Sequence, residues 1–157
     1  MKRLATRADI RLGPMGVDDL DAVLLIEQQS FTMPWSSSMF RSELRNPTSH
    51  LFVARLKEAP GNIVGYIGYR VVIDEMHIVI VAVDPVWRRQ GIAWQMLCQA
   101  MDQARDAACT KATLEVRVSN TAAQQLYFHQ RFKPVGVRPR YCLHPPEDAL
   151  ILWREPL

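Results

Sequence analysis

The stretch from Ile80 to Ala108, IVAVDPVWRRQGIAWQMLCQAMDQARDAA, constrains this chain more than any other part of it. An apolar run up to Val83 reads as a buried strand. Arg88, Arg89 and Gly91 form a turn, and a helix opens at that glycine. Ala93, Met96, Leu97, Ala100, Met101, Ala104 and Ala107 then recur at i, i+3 and i+4, with Cys98 off the stripe. A strand, turn and helix in this order put unpaired backbone N–H groups and the positive helix end beside two cationic side chains. That is the chemistry of an anion clamp, most naturally for a phosphate or pyrophosphate. Gly91 suits the turn because it has no Cβ to keep the backbone from the anion.

The rest of the chain is read around that unit. Ile10 and Arg11 suggest a short first strand, followed by the turn residues Gly13, Pro14 and Gly16. VDDLDAVLLIEQQ places Val17, Leu20, Val23, Leu24 and Glu27 at helical spacing, with Asp18 and Asp19 in an acid-favouring first turn. FTMPWSSSMFRSEL is an aromatic loop whose Ser36 suits the N-cap of a second short helix, stopped at Pro47. HLFVARL, NIVGYIGYRVV and EMHIVIVAV read as three strands, the last two turning at Asp74 and Glu75. After the long helix come a strand (KATLEVRV), a helix opening near Ser119 and Asn120, a strand from Lys133 to Arg138, a Pro-rich loop and a final strand, DALILW. Strands and helices interleave first, and hairpin-like pairs fall at the ends. The class expected is α/β (α+β), a mixed sheet with helices on both faces.

Composition narrows the function classes. With 157 residues, 48% hydrophobic and 22% charged, the chain fits one soluble domain over residues 1–157. No apolar run reaches the roughly 18 residues needed to span a bilayer, and MKRLATRADIR has no apolar segment behind its basic residues, so no membrane role or secretory signal is expected. Cys98, Cys109 and Cys142 cannot all pair and none sits in a CxxC spacing, which points to reduced thiols and a cytoplasmic location. His50, His77, His129 and His144 show no ligand spacing, so no metal is expected. A net charge of +3 suits an anionic cofactor, and its scattered basic residues do not argue for nucleic acid.

At VAVDPVWRRQGIA the chain resembles the GNAT acetyltransferase superfamily, whose pyrophosphate loop reads Gln/Arg-x-x-Gly-x-Gly/Ala, here Arg88, Gly91 and Ala93. Within it the chain is similar to RimI-type N-terminal alanine acetyltransferases. IEQQSFTMPWS, VAVDP, LEVRVSNTAAQQLY and EDALIL carry that likeness in order, over nearly the whole chain from Ile10. The resemblance implies a central sheet of about seven strands, acetyl-CoA as co-substrate, and a protein N-terminus, such as that of a ribosomal protein, as acceptor. Four positions depart from the pattern. Gln90 replaces a basic residue and Trp94 a smaller or basic one, which bears on cofactor affinity. Arg131 replaces a glycine before Phe132, so the preceding helix is expected to end differently, and Cys142 replaces a second tyrosine after Tyr141.

The same resemblance assigns roles. Arg88, Arg89, Gln90, Gly91, Ile92 and Ala93 form the pyrophosphate loop. Val81, Ala82 and Val83 lie on a strand that splays from its neighbour and offers backbone groups to the pantetheine arm and the acetyl carbonyl. Asn120 touches the cofactor, which is compatible with an N-cap role. Glu115 becomes the general base, acting through water, and Tyr127 the general acid for the departing thiolate. Trp35 and Tyr141 wall the peptide groove. From residue pattern alone, Glu115 sits as well on a solvent face, Tyr127 and Trp35 in a core, and Arg88 and Arg89 as a solvated pair. Asp74, Glu75 and His77 are fallback bases, and Asp74, Glu75, Glu147 or Asp148 would supply acidity for a basic acceptor. The rival readings are a GNAT enzyme acting on lysine or a small amine, and a non-catalytic acetyl-CoA-binding module.

Overall fold

The computed structural model describes residues 8–143 and 145–157; the basic start through Arg7 and His144 lie outside them. The elements run β1 (Ile10–Pro14), α1 (Leu20–Ser30), α2 (Ser37–Arg45), β2 (Ser49–Leu56), β3 (Ile63–Val72), β4 (Glu75–Val83), α3 (Ile92–Asp106), β5 (Lys111–Arg117), α4 (Thr121–His129), β6 (Lys133–Leu143) and β7 (Pro146–Arg154). The strands form one seven-stranded sheet in the order β1-β2-β3-β4-β5-β7-β6, antiparallel except where β4 meets β5. This is the expected mixed sheet.

The helices divide between its two faces, and each face has its own core. On one, α1 and α2 bury Leu20, Val23, Ile26 and Phe40 against Leu51, Val53, Tyr66, Ile80 and Ala82. On the other, Met96, Leu97, Ala100, Met101 and Ala104 of α3, with Tyr127 of α4, cover Ile67, Met76, Ile78, Leu114 and Leu152. Each fully buried side chain of this size contributes about 1.5–3 kcal/mol. Strand alternation would keep Ile78 and Ile80 of β4 on one face, and the irregular register at Gly68/Tyr69 instead sends Ile78 to one core and Ile80 to the other. Gly68 leaves room there, since a Cβ would stand 2.4 Å from Leu51 Cδ2.

The helix α3 is held at a fixed height above the sheet by two glutamines. Gln95 Oε1 accepts from Ile10 N–H (3.1 Å) and its Nε2 donates to Ala8 C=O (2.6 Å). One turn on, Gln99 Oε1 accepts from Leu12 N–H (3.0 Å) and Nε2 donates to Ile10 C=O (3.2 Å). These bonds satisfy the free edge of β1, which would otherwise invite another strand, and they anchor the turn that precedes α3.

Three local readings need correction. β1 continues through Gly13 and Pro14, which pair with Val53 and Phe52; proline is tolerated there because β1 is an edge strand. β6 extends to Leu143, so most of the Pro-rich loop is strand, with an irregular register between Arg138 and Cys142 that absorbs Pro139. Arg131 does not change how α4 ends. It takes the left-handed conformation (φ 67°) that glycine takes more readily. Its N–H donates to Phe128 C=O (3.0 Å), Phe132 N–H donates to Tyr127 C=O (3.0 Å), and the Tyr127 and Phe132 rings pack edge to face at 5.9 Å.

What positions the site is the seam between β4 and β5. Their parallel pairing is confined to Glu75↔Lys111, Met76↔Ala112 and His77↔Thr113. Beyond it, β4 follows β3 as far as Val83 and β5 follows β7 as far as Arg117. The sheet opens into a V, and each strand keeps one hydrogen-bonded edge while its other edge faces the gap.

Candidate active site

A cleft of about 640 Å³ occupies this V. Val79 and Val81 line it from β4, and Leu114 and Glu115 from β5. Asn120 and Tyr127 enter from α4, Trp35 and Tyr141 from the loop before α2 and from β6. Residues far apart in the chain meet here because the two strands part.

Glu115 points to the α1–α2 face, opposite buried Leu114 and Val116 on the alternating strand. Its side chain is only 9% exposed. Glu115 Oε2 lies 2.8 Å from His77 Nε2, at the last paired rung before the strands diverge. With a proton on Nε2 the ring donates to the carboxylate, and Nδ1 is left free to exchange a proton elsewhere. Arg138 approaches the other oxygen at 3.7 Å. The His77 hydrogen bond, and less so the Arg138 charge, hold Glu115 below the usual carboxylate range despite its burial. Of the three fallback bases, His77 therefore joins Glu115. Asp74 instead accepts from Thr110 Oγ1 (2.8 Å) and Glu75 pairs with Lys111 (3.5 Å), both outside the cleft.

Tyr127 is 8% exposed, and burial pushes its hydroxyl up to about 12. No described side chain takes a hydrogen bond from it, so it reaches the cleft as a protonated, uncommitted donor. Asn120 caps α4, its Oδ1 accepting from Ala123 N–H (3.2 Å). Glu147 fixes the approach to that cap, accepting from Ser119 N–H (2.6 Å) and Arg117 (3.3 Å). Of the four carboxylates considered as a source of acidity, Glu147 alone lines the cleft, and these donors occupy it. Asp148 accepts from Arg140 N–H (2.9 Å).

The turn before α3 follows the end of β4, and Arg88 ties it to Ser30, which lines the cleft. Arg89 (φ 62°) and Gly91 (φ 77°) are both left-handed. Gln95 N–H is the first in α3 to find an acceptor, Gly91 C=O (3.1 Å). The N–H groups of residues 89–94, including those of Gln90, Ile92, Ala93 and Trp94, have no acceptor among the described residues. Arg88 is committed, donating through Nε to Val83 C=O (3.2 Å) and through its guanidinium to Ser30 Oγ (3.3 Å). It braces the loop against β4 and α1. Arg89 is exposed. Ala82 is buried beneath the cleft floor, and Val83 packs against the α3-side core.

On the opposite wall, Arg138 stacks over the Tyr141 ring at 5.2 Å, and Trp35 packs against Phe40 at 5.1 Å. Beneath the Trp35 backbone sits a residue that helical spacing places on the apolar stripe of α1. Glu27, 1% exposed, accepts from Trp35 N–H (3.0 Å) and from the Tyr66 hydroxyl. Burial raises it above the ordinary carboxylate range. An acid at a core position of an amphipathic helix was the available signal, since such a group is buried only with partners.

Comparison with known proteins bears on this arrangement. A model of the acetyltransferase (GNAT) family matches residues 20–132. A putative ribosomal-protein bS18-alanine N-acetyltransferase of Bacillus subtilis is 36% identical over 151 residues, covering 96% of this chain and 97% of that one. The ribosomal-protein bS18-alanine N-acetyltransferase of Escherichia coli is 33% identical over 136 residues, 85% of this chain and 89% of that one. The crystal structure of the ribosomal-protein-S18-alanine N-acetyltransferase from Escherichia coli superposes with a TM-score of 0.84 at 29% identity, covering 94% of each chain.

Proposed function

Since this chain belongs to the GNAT acetyltransferase family and is an N-acetyltransferase, we propose that it moves the acetyl group of acetyl-CoA onto the α-amine of a protein N-terminus, as RimI-type enzymes do, acting as a single domain over residues 1–157. The N-terminal alanine of a ribosomal protein is the acceptor that the Bacillus subtilis and Escherichia coli relatives suggest. The observation that carries the reading is the meeting of Glu115 and Tyr127 in one cleft where β4 and β5 part, with His77 hydrogen-bonded to Glu115 from the last paired rung.

The free N–H groups of residues 89–94 suit the pyrophosphate of coenzyme A, with Arg89 adding charge and Arg88 bracing the loop. The opened edge at Val81, Ala82 and Val83 suits the pantetheine arm, and an N–H there would polarise the acetyl carbonyl. The α-amine lone pair attacks the carbonyl carbon. A C–N bond forms, the C–S bond breaks, and the thiolate leaves.

A carboxylate held as low as Glu115 is a weak base for direct capture of an ammonium proton. It serves better as the acceptor of a water relay whose proton passes to solvent through His77. An α-amine with a reference pKa of roughly 7.7–8.0 is within reach of such a modest base, whereas lysine at roughly 10.4 is not. Tyr127, pushed up to about 12 by burial, lies above a thiol near roughly 8.5, so it keeps its proton in the resting site. A donated hydrogen bond that shortens as charge builds on sulfur suits it better than an early proton transfer.

Acetyl transfer from acetyl-CoA is measured on peptides with free alanine starts, on the same peptides N-blocked but carrying lysine, and on polyamines. Free-start peptides are expected to react fastest. Reaction of the blocked lysine peptides alone refutes the acceptor assignment, and cofactor binding by calorimetry with no transfer to any amine refutes the catalytic one.

A further inference from the structure

Glu27 is not needed for the chemistry just described, yet it is the most deeply buried charged side chain described and borders the same cleft. It sits in the last turn of α1, where the chain leaves the helix for the segment 31–36. That segment carries Phe31 and Met33, 40% and 58% exposed at the cleft, and Trp35, whose ring faces Phe40. One carboxylate oxygen takes the Trp35 N–H and the other takes the hydroxyl of fully buried Tyr66, from β3 beneath the cleft floor. Phe40 closes the set, packing on Trp35 at 5.1 Å and edge-on to Tyr66 at 5.9 Å. The sheet, α1 and the loop are thus joined through a single side chain, and moving that carboxylate moves the wall on which Phe31 and Met33 stand.

We propose that Glu27, gripped by Tyr66 and gripping the backbone of Trp35, is a positioning residue for the acyl acceptor. It fixes the apolar wall formed by residues 31–35, against which the first side chains of an acceptor polypeptide pack. The inference rests on the N-terminal acetyltransferase reading for the identity of the acceptor. The grip itself does not depend on it. What the grip requires is hydrogen-bond acceptance toward Trp35, not charge. A glutamine can keep that bond with its carbonyl and still meet Tyr66 through its amide. A group acting by charge or as a base would not survive that replacement.

The test uses the full chain with Glu27→Ala, Glu27→Gln and Tyr66→Phe. Amide hydrogen exchange at Trp35 is followed in the unliganded protein, and steady-state kinetics are measured with an alanine-start peptide. Glu27→Ala is expected to speed Trp35 exchange at least about tenfold. It should also raise the acceptor KM by about tenfold, with kcat within about threefold of wild type and acetyl-CoA affinity unchanged. Glu27→Gln should restore both readouts, and Tyr66→Phe should fall between. Unchanged Trp35 exchange in a folded Glu27→Ala protein overturns the proposal. So does a Glu27→Gln enzyme that loses kcat at unaltered KM, which would make the charge itself the requirement. If wild type acetylates no peptide, the function reading fails, and the exchange measurement still decides the grip.

Discussion

Two carboxylates face the same cleft and are driven in opposite directions. Glu115 sits on a strand at the edge of the opening, takes a hydrogen bond from His77 and feels Arg138, and its acidity is strengthened. Glu27 sits deeper on a helix and among the described residues has only neutral donors, a phenol and a backbone amide, and burial weakens its acidity. What separates them is the kind of partner. A donor with charge, or able to become charged, outweighs desolvation, and neutral donors only reduce it. One carboxylate is thereby kept ionised at the reacting end, and the other is made a bracket.

If that division holds, the largest effects fall on chemistry at Glu115 and Tyr127. Glu115→Gln and Tyr127→Phe are each expected to lower kcat by about 10²–10⁴ while acetyl-CoA binding, read by calorimetry, stays as in wild type. Glu115 is already ionised across the working range, so the rise of kcat/KM with pH should follow the acceptor amine near roughly 7.7–8.0. An acidic limb that tracked Glu115, and vanished in Glu115→Gln, would contradict the depressed acidity.

Stability should rank the pair the other way. Removing Glu27 as alanine orphans the buried Tyr66 hydroxyl and the Trp35 amide, a loss of about 1–3 kcal/mol. In a chain this long that is a fall in Tm of roughly 2–12 °C. Glu115→Ala leaves a half-exposed His77 and an exposed Arg138 able to reach water, and is expected to cost no more than about 1 kcal/mol. Equal losses from the two variants, measured by calorimetric melting, would erase the distinction.

The pH dependence of melting separates them by sign. Glu115 has a folded pKa below its unfolded value, so its contribution is complete above about pH 5 and is lost as pH falls through the folded pKa. Glu27 has a folded pKa above its unfolded value, so it favours the folded state below roughly pH 4.3 and loses that advantage as pH rises. Melting from pH 4 to 8 should therefore show the Glu115→Gln deficit shrinking toward acid. The Tm of Glu27→Gln relative to wild type should grow toward neutral pH. A pair of difference curves with the same slope would show that burial, not partner type, governs both.

The two carboxylates also mark how far sequence reasoning reaches. The turn at Arg88 to Ala93 is made of consecutive residues, so its glycine, its strand and its helix stripe are visible in one window. The left-handed Gly91 and the free N–H groups are what that window implies. Glu115 and Tyr127 entered through family resemblance. Strand alternation alone left Glu115 on a solvent face, because nothing local says that β4 and β5 part after His77. His77 was considered only as an alternative base, since a contact across 38 residues has no signature in either segment. Glu27 was read as one more helical position. Arg131 was expected to alter the end of α4, yet a single left-handed residue preserves the backbone pattern with a side chain in place of glycine. What escaped was long-range pairing and the strain a local motif tolerates.

The smallest expected effect is at Arg138, and it tests which partner matters to Glu115. Arg138 is 54% exposed and 3.7 Å from the carboxylate, and its guanidinium is shared with the Tyr141 ring. A charge so open to water is screened, and exposed pairs are worth about 0.2–1 kcal/mol. Arg138→Gln should raise the Glu115 pKa, because an opposite charge is withdrawn, while leaving the carboxylate ionised at pH 7. The change in kcat/KM at that pH should stay within about threefold, less than that for His77→Ala, which removes the hydrogen bond that dominates the shift. Comparing the two variants at 0.05 and 0.5 M salt separates the terms. The Arg138 effect should shrink as the Debye length falls from about 14 Å to about 4 Å, and the His77 effect, made at contact distance, should persist.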